Sequence, residues 1–431
     1  MAAVVPTVDD TMKHRIGEVT VIVRGMDGQP LIDTDVVVEQ QRHDFSFGNI
    51  GFDFIPLANG EASGDATGAG SETFGGAALG GLEELADMWL ALFNTATLPF
   101  YWGRFEPHRG QPDTDRLRKT ASWFRDRSVT VKGHPLVWHT VTAPWLAELS
   151  PREIEKAVRD RVRRDVADFA GLIDTWDAIN EVVIMPVFDR EVNGITRLAL
   201  DTGRIPMVRL AFEEARAANS GATLLINDFD LSSAYECLLE GVLAAGIQVD
   251  AIGLQTHMHQ GYWGEDKMLA MVDRFARYGL PLHLTESTLL SGHLMPPEIT
   301  DLNDYQIAEW PSTDEGEARQ ADEMVRHYRS LVAHPAVQAI TYWGMTDDGA
   351  WLGAPVGLVR ADGSAKPSYN ALHGLIKDEW WLKPTTRRTD AEGRVSVRGF
   401  FGDYRVSGGD GSAAFPVTSV GPSPVIAQLH H

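Results

Sequence analysis

Two glutamates at the ends of apolar, strand-like runs are the residues of this sequence best placed to do chemistry. Glu181 closes Thr175-Trp176-Asp177-Ala178-Ile179-Asn180, and Glu286 closes Leu282-His283-Leu284-Thr285. A carboxyl that follows an apolar strand is partly withdrawn from water, and burial raises its pKa toward the range a general acid needs near neutral pH. Two such carboxyls can cleave a glycosidic bond: a protonated one supports the leaving oxygen, and an ionised one works from the opposite face of the ring. In enzymes that retain anomeric configuration the pair stands roughly 5–5.5 Å apart. A lone strand-end glutamate reads better as a helix cap or an ion-pair partner. Two of them, on the fourth and seventh of a series of strands and both with polar neighbours, favour the catalytic reading.

The elements that must position them alternate along the chain. His43–Gly48, Leu92–Thr97, Thr130–Leu136, Asp174–Asn180, Thr223–Asp228, Asp250–His257, Pro281–Glu286 and Ala339–Trp343 read as strands. Pro151–Gly171, Asp201–Asn219, Glu265–Tyr278 and Glu317–Val332 read as helices between them. Eight repeats of strand then helix predict an α/β fold, a closed (β/α)8 TIM barrel with its chemistry at the C-terminal strand ends. No glycine-rich nucleotide fingerprint follows the first strand, which weighs against a doubly wound sheet.

Outside the barrel, Val19–Val23 and Asp35–Gln40 around the turn-like Asp27–Gly28 predict a β-hairpin. Arg394–Arg398 and Asp403–Val406, joined through Gly399–Gly402, repeat the pattern near the other end. The two ends are expected to pair into one small β-module. The division is then residues 1–42 for the N-terminal hairpin segment, 43–379 for the barrel and 380–431 for the C-terminal β segment. Two insertions follow strands and so fall on the catalytic face: Asn59–Gly81, rich in glycine and small residues, and Ser291–Gly316, which carries Trp310. Both are placed to shape a substrate cleft.

Sixty acidic residues against 38 basic ones give a formal net charge of −22. Such a surface repels phosphate backbones and anionic lipid, so nucleic acid and membranes are poor partners, whereas neutral carbohydrate meets no such barrier. One cysteine, Cys237, rules out an intramolecular disulfide or a cysteine metal cluster; in the apolar helical run Tyr235–Ala245 it reads as a buried structural thiol. Met1–Asp10 lacks the pattern of a secretory signal, and no segment is long enough to span a membrane, so the sequence as it stands reads as cytoplasmic, or as secreted if a signal has been removed. His134, His139, His257 and His259 could ligate a metal. Their company of glutamine, asparagine and tryptophan suits sugar hydrogen bonding better, and neither metal nor cofactor is expected. Nothing in the sequence bears on oligomeric state.

Five stretches carry a resemblance. Gly133-His134-Pro135-Leu136-Val137-Trp138-His139, Trp176-Asp177-Ala178-Ile179-Asn180-Glu181, Gly253-Leu254-Gln255-Thr256-His257 and Thr285-Glu286 resemble glycoside hydrolase family 10, the xylanase family. Trp343-Gly344-Met345-Thr346-Asp347 followed by Trp351 is similar too, and the matches run in order from about His43 to Leu375 at corresponding strand ends. The resemblance implies that Glu181 is the acid/base and Glu286 the nucleophile of a retaining β-glycosidase needing no metal. It implies that Asn180 donates to the sugar 2-hydroxyl, and that His257, with Gln255 near it, holds the nucleophile in its ionised form by hydrogen bonds. His134 and Trp138 would line the subsite of the sugar being cleaved, and Trp343 and Trp351 would offer flat faces to sugar C–H groups. Asn227-Asp228 would support the site wall.

The sequence departs from that family at two places. The second strand of the family ends in a Glu-Asn pair and a nearby lysine that bind xylose units on the non-reducing side; here Phe93-Asn94-Thr95-Ala96-Thr97-Leu98-Pro99-Phe100-Tyr101-Trp102 substitutes apolar and aromatic groups. Ser287-Thr288 replaces the usual Leu-Asp after the nucleophile. Losing hydroxyl-binding groups changes which sugars are accepted. Three readings follow: an endo-β-1,4-xylanase with unusual glycone subsites, a β-glycosidase for short oligosaccharides or plant (di)glycosides, and a carbohydrate-binding protein without activity. Retention of both glutamates, Asn180 and His257 weighs against the last.

Overall fold

The computed structural model describes residues 10–61, 81–191, 193–409, 411–419, 421 and 424–431; most of the Asn59–Gly81 insertion lies outside them. Among the described residues the strands are β1 (Ile16–Arg24), β2 (Asp35–His43), β3 (Ser46–Ile50), β4 (Thr95–Pro99), β5 (Thr130–His134), β6 (Thr175–Asn180), β7 (Thr223–Asp228), β8 (Ala251–Met258), β9 (Leu282–Leu289), β10 (Val337–Tyr342), β11 (Thr385–Arg388), β12 (Arg394–Phe400), β13 (Gly402–Gly408), β14 (Gly411–Val417) and β15 (Val425–Gln428). The chain divides into two compact units. One holds Phe47–Tyr328 and Ala336–Tyr369, the other Met1–Ser46, Arg329–Pro335 and Asn370–His431.

In the first unit, β3 to β10 close into a parallel barrel, each strand beside its sequence neighbour and β10 beside β3. This is the (β/α)8 fold the alternating pattern predicts, with helices including Thr114–Arg125, Pro151–Phe169, Arg204–Ala218, Ser233–Ala244 and Glu265–Ala276 between strands. Local chemistry explains the sharpest boundary. Ser150 caps Pro151–Phe169 in a reciprocal box with Glu153, and Pro151 occupies the first turn, where no intrahelical N–H is needed. The first barrel strand begins later than expected, because His43 belongs to β2 and pairs with Gly402.

Cys237 is exposed, not buried as its apolar surroundings suggest. The helix Ser233–Ala244 turns Tyr235, Leu238, Leu239 and Val242 inward, and Cys237 falls outside that stripe.

The second unit draws strands from both ends of the chain. One sheet runs β12-β1-β15 and the other β11-β2-β13-β14. The predicted N-terminal hairpin is therefore not formed. Gly28, at φ 81°, does turn the chain, and Arg24 bridges to Pro30, but β1 and β2 then enter different sheets. Likewise β12 and β13 part company at Phe401. A two-stranded ribbon would leave its apolar face in water. Two facing sheets instead bury Val19, Val21 and Val23 with Val36, Val38, Val395, Val397, Tyr404 and Val406.

Tyr404 is the largest side chain in that core, fully buried and donating from its hydroxyl to the Phe400 carbonyl at 2.7 Å. Tyr404→Ala is expected to destabilise this unit by about 3–5 kcal/mol, as for other buried aromatics. Tyr404→Phe should cost only about 1 kcal/mol, the net value of one hydrogen bond. Urea unfolding followed by circular dichroism checks both; equal losses would show that the ring's volume is not what matters.

Candidate active site

Glu181 lies just past the end of β6, and Glu286 lies inside β9. Both strands carry an irregularity in pairing before the glutamate. Along β6 and β7 the register shifts between Asp177 and Ile179, so that Asn180 comes to face Asn227. Along β8 and β9 it shifts after Leu254, and Glu286 pairs with Gln255. Neighbouring strand residues ordinarily point to opposite faces, and an extra residue re-aims the side chains that follow it. The consequence is visible at Asn227, which is met by two consecutive residues of β9. Its Oδ1 accepts from Thr285 Oγ1 at 2.5 Å, and its Nδ2 donates to Glu286 Oε1 at 3.0 Å. The same Nδ2 donates to Asn180 Oδ1 at 2.8 Å. Gly253 leaves room for this amide, since a Cβ there would stand 2.5 Å from Asn227 Oδ1.

Glu181 adopts a positive φ of 57°, and its N–H donates to the Asn227 carbonyl at 2.8 Å. Its carboxyl accepts from Trp138 Nε1 at 2.7 Å, from Asn180 Nδ2 at 3.2 Å and from Gln255 Nε2 at 3.4 Å. Burial pushes this carboxyl up to about 8, against the pull of the Trp138 hydrogen bond and with help from the charges of Glu286 and Asp228. His139 approaches Glu181 at 3.9 Å, but burial holds the imidazole down at about 4, so it brings no positive charge. Asp228 is itself raised by burial to about 7 despite hydrogen bonds from backbone N–H groups, Val183 among them. A carboxyl that keeps its proton at neutral pH can donate it.

Glu286 meets a different set of groups. His257 Nε2 lies 3.1 Å from Oε2, and His134 Nε2 lies 3.8 Å from Oε1. His257 Nδ1 lies 3.4 Å from Thr288 Oγ1, so the ring bridges Glu286 and that hydroxyl. His134 is oriented from behind: its Nδ1 is 2.7 Å from Asp177 Oδ2, the oxygen that also binds Lys132 Nζ at 2.7 Å. Burial pushes the Asp177 carboxyl up, but Lys132 and His134 outweigh it and hold the group below its ordinary value.

Aromatic rings wall one side. Trp343 meets His134 at 5.2 Å, His257 at 6.4 Å and Phe52 edge-on at 5.8 Å. Tyr101 meets Trp138 at 5.3 Å and His134 at 5.6 Å. Trp351, more than a third exposed, packs over His257 at 5.0 Å and His259 at 5.2 Å.

Glu181, Glu286, His134, Trp138, Asn180, Gln255, His257, Trp343 and Trp351 are thus brought together around one barrel mouth. One expectation is corrected. Gln255 is turned to Asn180 and Glu181, not to Glu286, because the register shift places its amide beside Asn180 Oδ1 at 3.1 Å. Trp310 is not a cleft wall: it is buried among Leu290, Met295, Ala354 and Val356 beneath its own loop. Sequence reading underrated Asn227, which touches Glu286 directly, and missed Lys132 and Asp177. Their signal was present, since a lysine and an aspartate inside apolar strands need each other when buried. Among the described residues no group of three or more His, Cys, Asp or Glu could hold a metal ion.

Residues 90–374 match a family model described as glycosyl hydrolase family 10. Endo-1,4-beta-xylanase B of Thermotoga neapolitana is 24% identical over 295 residues, covering 64% of this chain and 78% of that protein. The anti-sigma-I factor RsgI6 of Acetivibrio thermocellus is 23% identical over 312 residues; these are 71% of this chain but 36% of RsgI6, so the chain spans little more than a third of that relative. Among solved structures, xylanase 10B from Thermotoga petrophila in complex with xylobiose superposes with a TM-score of 0.61 at 21% identity, covering 78% of this chain and 95% of that one. A likeness at this identity speaks to the fold.

The Asn227 amide generates a test. Gly253→Ala puts a methyl against the Asn227 side chain, whose three atoms are the nearest it would meet. We expect kcat/KM on an aryl glycoside to fall about tenfold or more, the equivalent of losing one buried hydrogen bond. Steady-state kinetics on the folded variant read it directly, and unchanged kinetics would mean that Asn227 positions nothing.

Proposed function

The chain belongs to glycoside hydrolase family 10, and from that premise we propose that it hydrolyses β-glycosidic bonds by double displacement, with Glu181 as acid/base and Glu286 as nucleophile. The observation that carries this reading is the contrast between the two carboxyls. Glu181 is raised to about 8 by burial, while Glu286 sits in a cradle of donors from Asn227 and His257. A carboxyl that keeps its proton at neutral pH, beside one reached by hydrogen-bond donors, is what acid and nucleophile roles require.

In the first step Glu286 attacks the anomeric carbon as Glu181 delivers its proton to the leaving oxygen. A covalent glycosyl-enzyme forms and the aglycone departs. Glu181, now ionised, takes a proton from water, which attacks the same carbon and releases Glu286 with configuration retained. Asn180, fixed by Asn227 and Gln255, is the group offered to the sugar 2-hydroxyl.

For the substrate, the relative from Thermotoga neapolitana is an endo-1,4-beta-xylanase, and chains of β-1,4-linked xylose are the substrate class nearest to it. Short β-glycosides are a second reading, favoured by Tyr101 and Phe52 standing where hydroxyl-binding groups would serve a long glycone. Product analysis on xylan, xylo-oligosaccharides and aryl β-glycosides separates the two.

Glu286→Ala should lose essentially all turnover, and added azide should restore part of it with formation of a glycosyl azide of inverted configuration. Near-normal turnover without azide would remove Glu286 as nucleophile. Glu181→Ala should slow substrates with poor leaving groups far more than activated aryl glycosides, since only the former need the proton. The proton also fixes the sign of the pH response. The acid form of Glu181 is lost as pH rises through about 8, so kcat/KM on poor leaving groups should decline above that pH. An alkaline limb that persists in Glu181→Ala belongs to another group.

A further inference from the structure

The loop after β4 is drawn against the loop after β5. Gly103 N–H donates to the Val141 carbonyl at 2.7 Å, and a Cβ on Gly103 would stand 2.6 Å from the Thr142 carbonyl oxygen, so only glycine permits the approach. This pins Tyr101 into the barrel mouth. Its ring meets His134 and Trp138 as described above and takes the edge of Phe52 at 6.2 Å, while Phe52 in turn meets Trp343. Tyr101 and Phe52 are each only 5% exposed. The rings therefore fill the space between them instead of presenting faces on which a sugar could stack. From Leu98 to Trp102 the sequence offers no charged or amide side chain to a hydroxyl.

The side of the cleft that is filled can be read from the neighbours. Tyr101 packs on His134, which lies 3.8 Å from Glu286, and Trp343 packs on His257, which bonds Glu286 at 3.1 Å. The wall thus stands against the groups that reach Glu286, the carboxyl to which the glycone becomes attached, and also against Trp138, which donates to Glu181 at 2.7 Å.

Resting on the hydrolase reading, we propose that Tyr101 and Phe52 close the cleft one sugar beyond Glu286, making this an exo-acting enzyme that removes single residues from the non-reducing end of short β-glycosides. Each turnover consumes one water and releases one monosaccharide with a new hydroxyl on the shortened partner. Tyr101 acts here on specificity and takes no part in proton transfer.

The test uses the full chain with xylopentaose and cellopentaose labelled at the reducing end, beside aryl β-xyloside, β-xylobioside, β-glucoside and β-cellobioside. The first labelled product from a pentaose should be the tetraose, and the aryl disaccharides should release a monosaccharide first. A shorter labelled product, or an intact disaccharide split from the aryl group, overturns the proposal while leaving the hydrolase reading in place. No turnover of any of these substrates removes that reading, and this one with it. Tyr101→Ala should raise the ratio of kcat/KM for aryl bioside over aryl monoside by about tenfold, the scale on which pocket shape discriminates. An unchanged ratio in a folded variant overturns the role given to Tyr101; if the variant does not fold, the product pattern of the unaltered chain still decides.

Discussion

The side-chain amide of Asn227 is the joint on which the site depends. It sits on β7 yet contacts Asn180 at the end of β6 and both Thr285 and Glu286 on β9. A closed parallel barrel provides eight strand ends but does not by itself aim the side chains that leave them. The register shifts on β6 and β9 supply the aim, and Asn227 locks the result by making one amide satisfy groups from two other strands. Gly253, on the neighbouring strand, leaves the volume this amide occupies.

From that joint the two carboxyls diverge. Glu181 is surrounded by neutral donors and further carboxyls, so burial dominates and the proton is retained. Glu286 is reached by His257 and faced by His134, whose orientation is fixed by Asp177 and Lys132. The difference between the two glutamates thus resides in what stands behind each group, since the two side chains are chemically the same. Thr288 continues this logic: a neutral hydroxyl behind His257 leaves the imidazole without a charged partner on that side.

Much of this was legible in the sequence, for identifiable reasons. The barrel strands are short apolar runs between amphipathic helices, and period-2 against period-3.6 patterning separates them. The two glutamates stood out because each closes such a run. What escaped depended on pairing across long separations. The fate of β1 and β2 is set by β12, β13 and β15, 378 residues away for Val19 and Val397, and a local turn signal at Asp27–Gly28 carries no information about that. Nor can a one-residue register shift be read from one strand alone, which is why Gln255 was assigned to the wrong glutamate. Tyr101 was visible as a departure, but its closure against Phe52 required the approach of two loops.

The left-handed backbone at Glu181 sets selection for robustness against selection for chemistry at a single residue. A side chain with a Cβ is held there at a cost of about 1–2 kcal/mol, which glycine, and to a lesser degree asparagine, would escape. A lineage drifting under pressure for heat tolerance alone would find relief at this position and lose the buried carboxyl in the same step. The backbone strain at Glu181 is thus inseparable from the carboxyl it places beside Trp138 and Asn180.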